Sequence, residues 1–180
     1  MILTIHLERV LRDAVGAEFT HLVTRPTGAA VRGGIRSELA RAECGTLLLD
    51  FSRVGLIDFS CADEIVAKLL LDAELSGGRY LVLYGLSDDH AEAIDHILVR
   101  QGLAVAAIAE DGAPRLLGEI PPDARAAFDA LQGLGPLDPP RLADALGWTV
   151  DRADAALRAL AARRLARPDV AAYHSILPAP

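Results

Sequence analysis

Apolar positions in the first two thirds of the chain change period repeatedly, and each change predicts an element. In "PTGAAVRGGIRSELARA" (26–42) Val31, Ile35 and Leu39 recur every four residues, a helix laying one face on a sheet and opened by Pro26 at its first position. "TLLLDF" (46–51) is an unbroken apolar run of strand length, as expected of a strand covered on both faces. A second helix is predicted from Ser60, with Ala62, Ile65, Val66, Leu69 and Ala73 inward and Glu64, Lys68 and Asp72 forming a solvated stripe. "RYLVLYG" (79–85) reads as the next strand. "SDDHAEAIDHILVRQG" (87–102) reads as a helix with acids in its first turn and Gly102 as its stop. "LAVAAIAED" (103–111) and "PRLLG" (114–118) form a hairpin about Asp111-Gly112. "HLVTR" (21–25) is a short strand candidate. "HLERVLRDAV" (6–15) is assigned to a helix, with an N-terminal strand and turn as the competing assignment. Strands alternating with helices predict an α/β layer with a parallel or mixed sheet.

From Pro121 the pattern becomes helix after helix. "PDARAAFDALQGLG" (122–135) places Ala124, Ala127, Phe128 and Leu131 inward and stops at glycine. Asp138 caps "PPRLADALG" (139–147), and Thr149 caps "VDRADAALRALAARR" (150–164), whose inward face is Val150, Ala153, Leu157 and Leu160. "RLARPDVAAYHSIL" (164–177) alternates around Pro168-Asp169 as a hairpin. Residues 1–119 carry 11 basic and 18 acidic side chains, a net of −7, whereas residues 120–180 carry 7 of each. With Pro121 and Pro122 at the change, the chain is expected to form two domains, 1–119 and 120–180.

Composition narrows the function classes. Of 180 residues 52% are hydrophobic, enough for a real core. The apolar runs fall far short of the roughly 20 residues needed to span a bilayer. "MILTIHLERVLRD" carries Glu8 and Arg9 too early for a signal peptide, so a cytoplasmic protein without a membrane partner is expected. Cys44 and Cys61 stand far apart and read as reduced core residues. The five histidines are scattered, and no metal site or cofactor is expected.

The chemistry concentrates in "GLIDFSCADEIVAKLLL" (55–71), where a serine stands between a strand and a helix. Ser60-x-x-Asp63 fits a near-capping-box in which the hydroxyl serves a backbone N–H. A phosphate on the same serine would be favoured by a helix N-terminus. The run "LLLDFSRVGLIDFS" followed by "CADEIVAKLL" resembles the STAS domain of anti-sigma-factor antagonists over about residues 20–118, and "DFSCADEI" is similar to the STAS-like families of unknown function. The resemblance implies a non-catalytic protein-docking domain. In that family a serine matching Ser60 is phosphorylated by a kinase that doubles as an anti-sigma factor. Asp58 matches the motif's aspartate, Phe59 replaces a serine and Cys61 replaces the glycine. Ser60, Asp58, Cys61 and Glu64 are the phospho-acceptor or partner-binding candidates, and the implied partner is a histidine-kinase-like ATPase or anti-sigma factor.

Two other sites compete. Arg25, Thr27 and Gly28 surround a predicted helix N-terminus and form an anion-binding candidate, although they match neither a Walker A nor a G-x-G-x-x-G pattern. Gly33 and Gly34 inside that helix point to close packing. Residues 121–177 resemble winged-helix domains of bacterial transcription regulators through "LADALGWTVDRADAALRAL" and the "RRLARPD" hairpin. That resemblance leaves two uses open, DNA binding with Arg152, Arg158, Arg163, Arg164 and Arg167 as the candidate contacts, or dimerisation and protein contact with the arginines as a solvated face. Asp151 and Asp154 in the first turns of the would-be recognition helix oppose DNA binding, and Trp148 is assigned to the core. Two functions follow. One is a regulator acting by protein contact through its STAS-like domain. The other is a DNA-binding regulator whose STAS-like domain forms a homodimer or senses a small anion or nucleotide.

Overall fold

The computed structural model describes residues 1–16, 19–72, 75 and 77–178. It divides into two compact units, Met1–Gly118 and Glu119–Pro180.

In the first unit β1 (Ile2–His6), β3 (Thr46–Asp50), β5 (Tyr80–Leu86), β6 (Ala104–Ala109) and β7 (Pro114–Gly118) form one mixed sheet in that order. The first four are parallel and β7 returns antiparallel to β6. Each crossover therefore steps in the same direction. With right-handed connections, that places the intervening helices on one face. The helices are α1 (Leu7–Val15), α2 (Arg25–Ala40), α3 (Phe59–Ala62), α4 (Lys68–Leu71) and α5 (Asp88–Gln101). A single π turn, Asp63–Ala67, joins α3 to α4. The core alternates along the strands as the pleat requires: Leu47, Leu49, Leu81, Leu83, Val105 and Ala107 meet Val31, Ile35, Leu39, Ile65, Leu69 and Ile94 from the helices. In β3, Thr46 through Leu49 are all buried, as the unbroken apolar run predicted.

Three assignments change. The N-terminal stretch supplies both a strand and a helix, because β1 enters α1 at His6 with no loop to separate the two periods. "HLVTR" contributes only β2 (His21–Leu22), which pairs with β4 (Leu56–Ile57) outside the main sheet. In α2 the first helical position is Arg25, so Pro26 stands second. Ala73 lies outside the described residues.

The second unit holds α6 (Pro122–Leu134), α7 (Pro139–Leu146), α8 (Val150–Ala162) and a hairpin of β8 (Ala166–Pro168) and β9 (Tyr173–Ser175). Phe128, Leu131, Leu142, Leu157 and Leu160 are buried. Asp138 accepts from the Arg141 N–H at 2.8 Å and Thr149 from the Arg152 N–H at 3.3 Å, so both predicted caps form. Val150, placed inward by its spacing, is half-exposed because it is the first helical residue and precedes the turn that packs.

Candidate functional site

Asp58 joins two segments at the amino ends of α2 and α3. Its Oδ1 accepts from the Cys61 N–H and from the Ser60 hydroxyl, each at 2.8 Å, and its Oδ2 accepts from the Thr24 N–H at 3.0 Å. Asp58 is thus the N-cap of α3, which corrects the expectation that Ser60 caps it. The helix opens one residue earlier, at Phe59. Ser60 consequently stands second in the first turn, and its hydroxyl donates to the cap instead of receiving an amide. Burial pushes the Asp58 carboxyl up, but the amides of Thr24 and Cys61 and the Ser60 hydroxyl outweigh it and hold it below the usual carboxylate range. Thr24 takes φ 72°, uncommon for a β-branched residue, and its carbonyl accepts from the Gly28 N–H and the Cys61 thiol, each at 3.1 Å.

Cys61 and Glu64, expected to face a partner, are both buried. Burial, with Asp58 alongside, pushes the Cys61 thiol up to about 12, so it stays protonated at neutral pH and is not a nucleophile. Glu64 is 3% exposed and belongs to no solvated stripe. The reason is Gly28: a Cβ there would lie 2.9 Å from the Glu64 Cβ and 3.1 Å from the Cys61 Cα, so glycine brings α2 down onto this turn. Arg25 and Arg32 flank Gly28 on the same face of α2. Arg25 Nη1 donates to Glu64 at 2.8 Å and to Asp63 at 2.7 Å, Arg32 Nη2 donates to Glu64 at 3.2 Å, and Lys68 donates from the following turn. Burial pushes the Glu64 carboxyl up, and these cations bring it below its ordinary range.

The anion-binding candidates are therefore engaged within the protein. Arg25 holds two carboxylates, the Thr27 hydroxyl lies 3.1 Å from that of Thr24, and the Gly28 amide donates to Thr24. An anion here would have to displace Asp63 and Glu64.

What remains open is a groove of about 510 Å³ beside Ser60. Phe59, Ser60, Ile97 and Arg100 line it, together with Asp63, which Arg25 and Gln101 hold between them. Phe59 is 53% exposed, its ring 4.7 Å from that of His96. Arg100 has no hydrogen-bond or ion-pair partner among the described residues. An exposed aromatic, an aliphatic wall and an uncommitted cation around a half-buried hydroxyl form a surface suited to another molecule's apolar and acidic groups.

No family model, curated protein or solved structure matches the chain. The site thus stands on its geometry alone.

In the second unit the candidate arginines are partly committed. Arg152 makes a paired contact with Asp123 at 2.7 and 2.8 Å and lies 4.2 Å above the Trp148 ring. Trp148 is half-buried and stacked on that cation, so it is not the core residue expected; it follows the Gly147 stop at the rim of α7. Arg158 pairs with Asp154 at 2.8 Å. Arg163 donates to the Ala159 carbonyl at 3.2 Å, Arg164 stands in the turn after α8 with φ 57°, and Arg167 lies in β8.

Sequence reasoning missed the Arg25–Gly28–Arg32 cradle, although its i, i+3, i+7 spacing was available as a signal. It also missed a cleft at the carboxyl ends of β1 and β3, where His6 Nδ1 meets Asp50 Oδ2 at 2.7 Å and Asp50 Oδ1 accepts from Ser52. His6 and Asp50 are distant in sequence and become neighbours only through the β1–β3 register. Among the described residues no group of three His, Cys, Asp or Glu could hold a metal, and no helix is long and apolar enough to cross a membrane.

Proposed function

We propose that the chain is a cytoplasmic, non-catalytic regulator in which a STAS-like first unit docks a protein partner through the Ser60 groove and a winged-helix second unit carries the output. One observation carries this reading: Phe59 and Arg100 stand open to solvent beside Ser60, whose hydroxyl is tied to Asp58 and to no histidine base. A phosphate on Ser60 would break the bond to Asp58 and set new charge between Asp58 and Asp63, with Arg100 at hand to receive it and Arg25 able to do so only by leaving Asp63 or Glu64. A partner at this groove would then meet a changed electrostatic surface.

The winged-helix assignment rests on order and pairing. Between α6 and α7, Leu137 forms an antiparallel bridge with Tyr173 of β9, its N–H donating at 3.1 Å and its carbonyl accepting at 2.8 Å. Three helices, a bridge after the first and a terminal hairpin support a winged-helix reading. The ion pairs on Arg152 and Arg158 favour protein contact over DNA as the use of this unit.

The test is gentle isolation of the tagged protein from its native host, with intact mass and co-purifying chains recorded for wild type and Ser60→Ala. A phosphate-sized increment that is lost in Ser60→Ala, with a kinase-like ATPase in the wild-type eluate, is the expected outcome. An unmodified chain whose partners ignore both Ser60→Ala and Phe59→Ala would sink the proposal.

A further inference from the structure

The two edges of the five-stranded sheet are protected very differently. β7 begins at Pro114, carries Arg115 and ends at Gly118 with φ 97°, devices that block strand addition. β1, "ILTIH", has no proline, no glycine and no formally charged residue, and pairs only with β3 among the described residues. Ile2 is 48% exposed, and Thr4 and His6 are exposed as well. The Met1 carbonyl accepts from the Thr46 N–H at 3.4 Å. Amides alternate along a strand, so those of Leu3 and Ile5 face β3 and those of Ile2, Thr4 and His6 point outward.

We propose that this outer edge pairs antiparallel with β1 of a second copy, Thr4 facing Thr4 across the two-fold axis. The strand is self-complementary in that register. Leu3 falls opposite Ile5 on the helix-bearing face. On the other face Thr4 meets Thr4 and Ile2 meets His6. Apolar pairs and a threonine pair are favourable cross-strand neighbours, and no like charges meet. The outward amides of Thr4 and His6 find the carbonyls of Thr4 and Ile2 of the second copy, while the His6 carbonyl stays with α1 as its N-cap. A two-fold axis makes the contact close on itself, so the product is a dimer and not a filament. This pairing does not depend on the function of Ser60.

Sedimentation of the full chain at tens of micromolar should give twice the 19.1 kDa chain mass. Thr4→Lys, at an exposed position, should return the single-chain mass and unfold cooperatively at the midpoint of wild type diluted until it dissociates. Thr4→Cys tests the register independently: hydrogen-bonded antiparallel partners hold Cα atoms about 5.5 Å apart, within the span of a disulfide. Mild oxidation should link Thr4→Cys into a dimer, whereas wild type, with Cys44 half-buried and Cys61 buried, and Ile2→Cys should stay unlinked. Single-chain mass for wild type, a dimer indifferent to Thr4→Lys, or Ile2→Cys linking as readily as Thr4→Cys would each overturn the proposal.

Discussion

A carboxylate as buried as Glu64 stays ionised because three cations converge on it, and the turn that carries it is set by one hydrogen atom at Gly28. His90 is the opposite case, a buried base with no counter-charge in contact. It is 1% exposed, lies 5.8 Å from the Phe51 ring, and completes a capping box in which its Nδ1 accepts from the Ser87 N–H at 3.3 Å while Ser87 accepts from the His90 N–H at 3.2 Å. Accepting at Nδ1 leaves the proton on Nε2, so a second proton would abolish the bond from Ser87. Burial lowers the His90 pKa below its ordinary value. The unfolded chain therefore binds that proton more readily than the native state, and stability falls as pH drops below about 6.5. The carboxylates held low, Asp50, Asp58, Asp63 and Glu64, titrate only well below this window. The urea midpoint should drop between pH 7 and pH 5, and His90→Gln, which keeps a capping-box side chain but cannot titrate, should flatten the drop. An equal drop in the variant would assign the effect to other groups.

At the scale of elements, the apolar periods made most of the architecture legible. The buried faces of α2 and α6, the Gly102 stop of α5 and the caps at Asp138 and Thr149 all lie where spacing and cap chemistry put them. What failed did so for local reasons. A π turn inserts a residue into the helix after Ser60, and charged residues at i, i+4 look the same whether they face water or a cradle of arginines. The cap moved from Ser60 to Asp58 because both are good N-caps two residues apart, and only the Thr24 amide brought in by α2 favours the carboxylate. The glycines of α2 separate these effects. Gly33 is exposed with nothing within 4 Å of an added Cβ, so Gly33→Ala should stabilise by about 0.5–1 kcal/mol through helix propensity. Gly28→Ala would press a methyl onto the Cys61 backbone and should destabilise by about 1–3 kcal/mol. Urea unfolding of the two variants decides it, and equal effects would mean that α2 does not rest on the Glu64 turn.

For the molecule as a whole, the uneven charge bears directly on which partner it can take. All of the net charge of −7 falls within residues 1–119, and residues 120–180 are neutral. DNA affinity grows with the number of phosphates neutralised, and each one adds about −0.9 to the slope of log affinity against log salt. Of the five arginines that could grip a backbone, Arg152 is held by Asp123 and Trp148 and Arg158 by Asp154, so recruiting either one to DNA would first break a native contact. A labelled mixed-sequence duplex should therefore show no saturable binding at micromolar protein in physiological salt. Any binding that appears at low salt should be weak and have a shallow slope, because few cations are free to displace counterions. Arg152→Ala would then leave it unchanged, since that side chain already serves Asp123. Sub-micromolar binding with a steep slope, lost on Arg152→Ala, would instead mean that DNA competes Asp123 away from α8, and the output of the second unit would be duplex recognition.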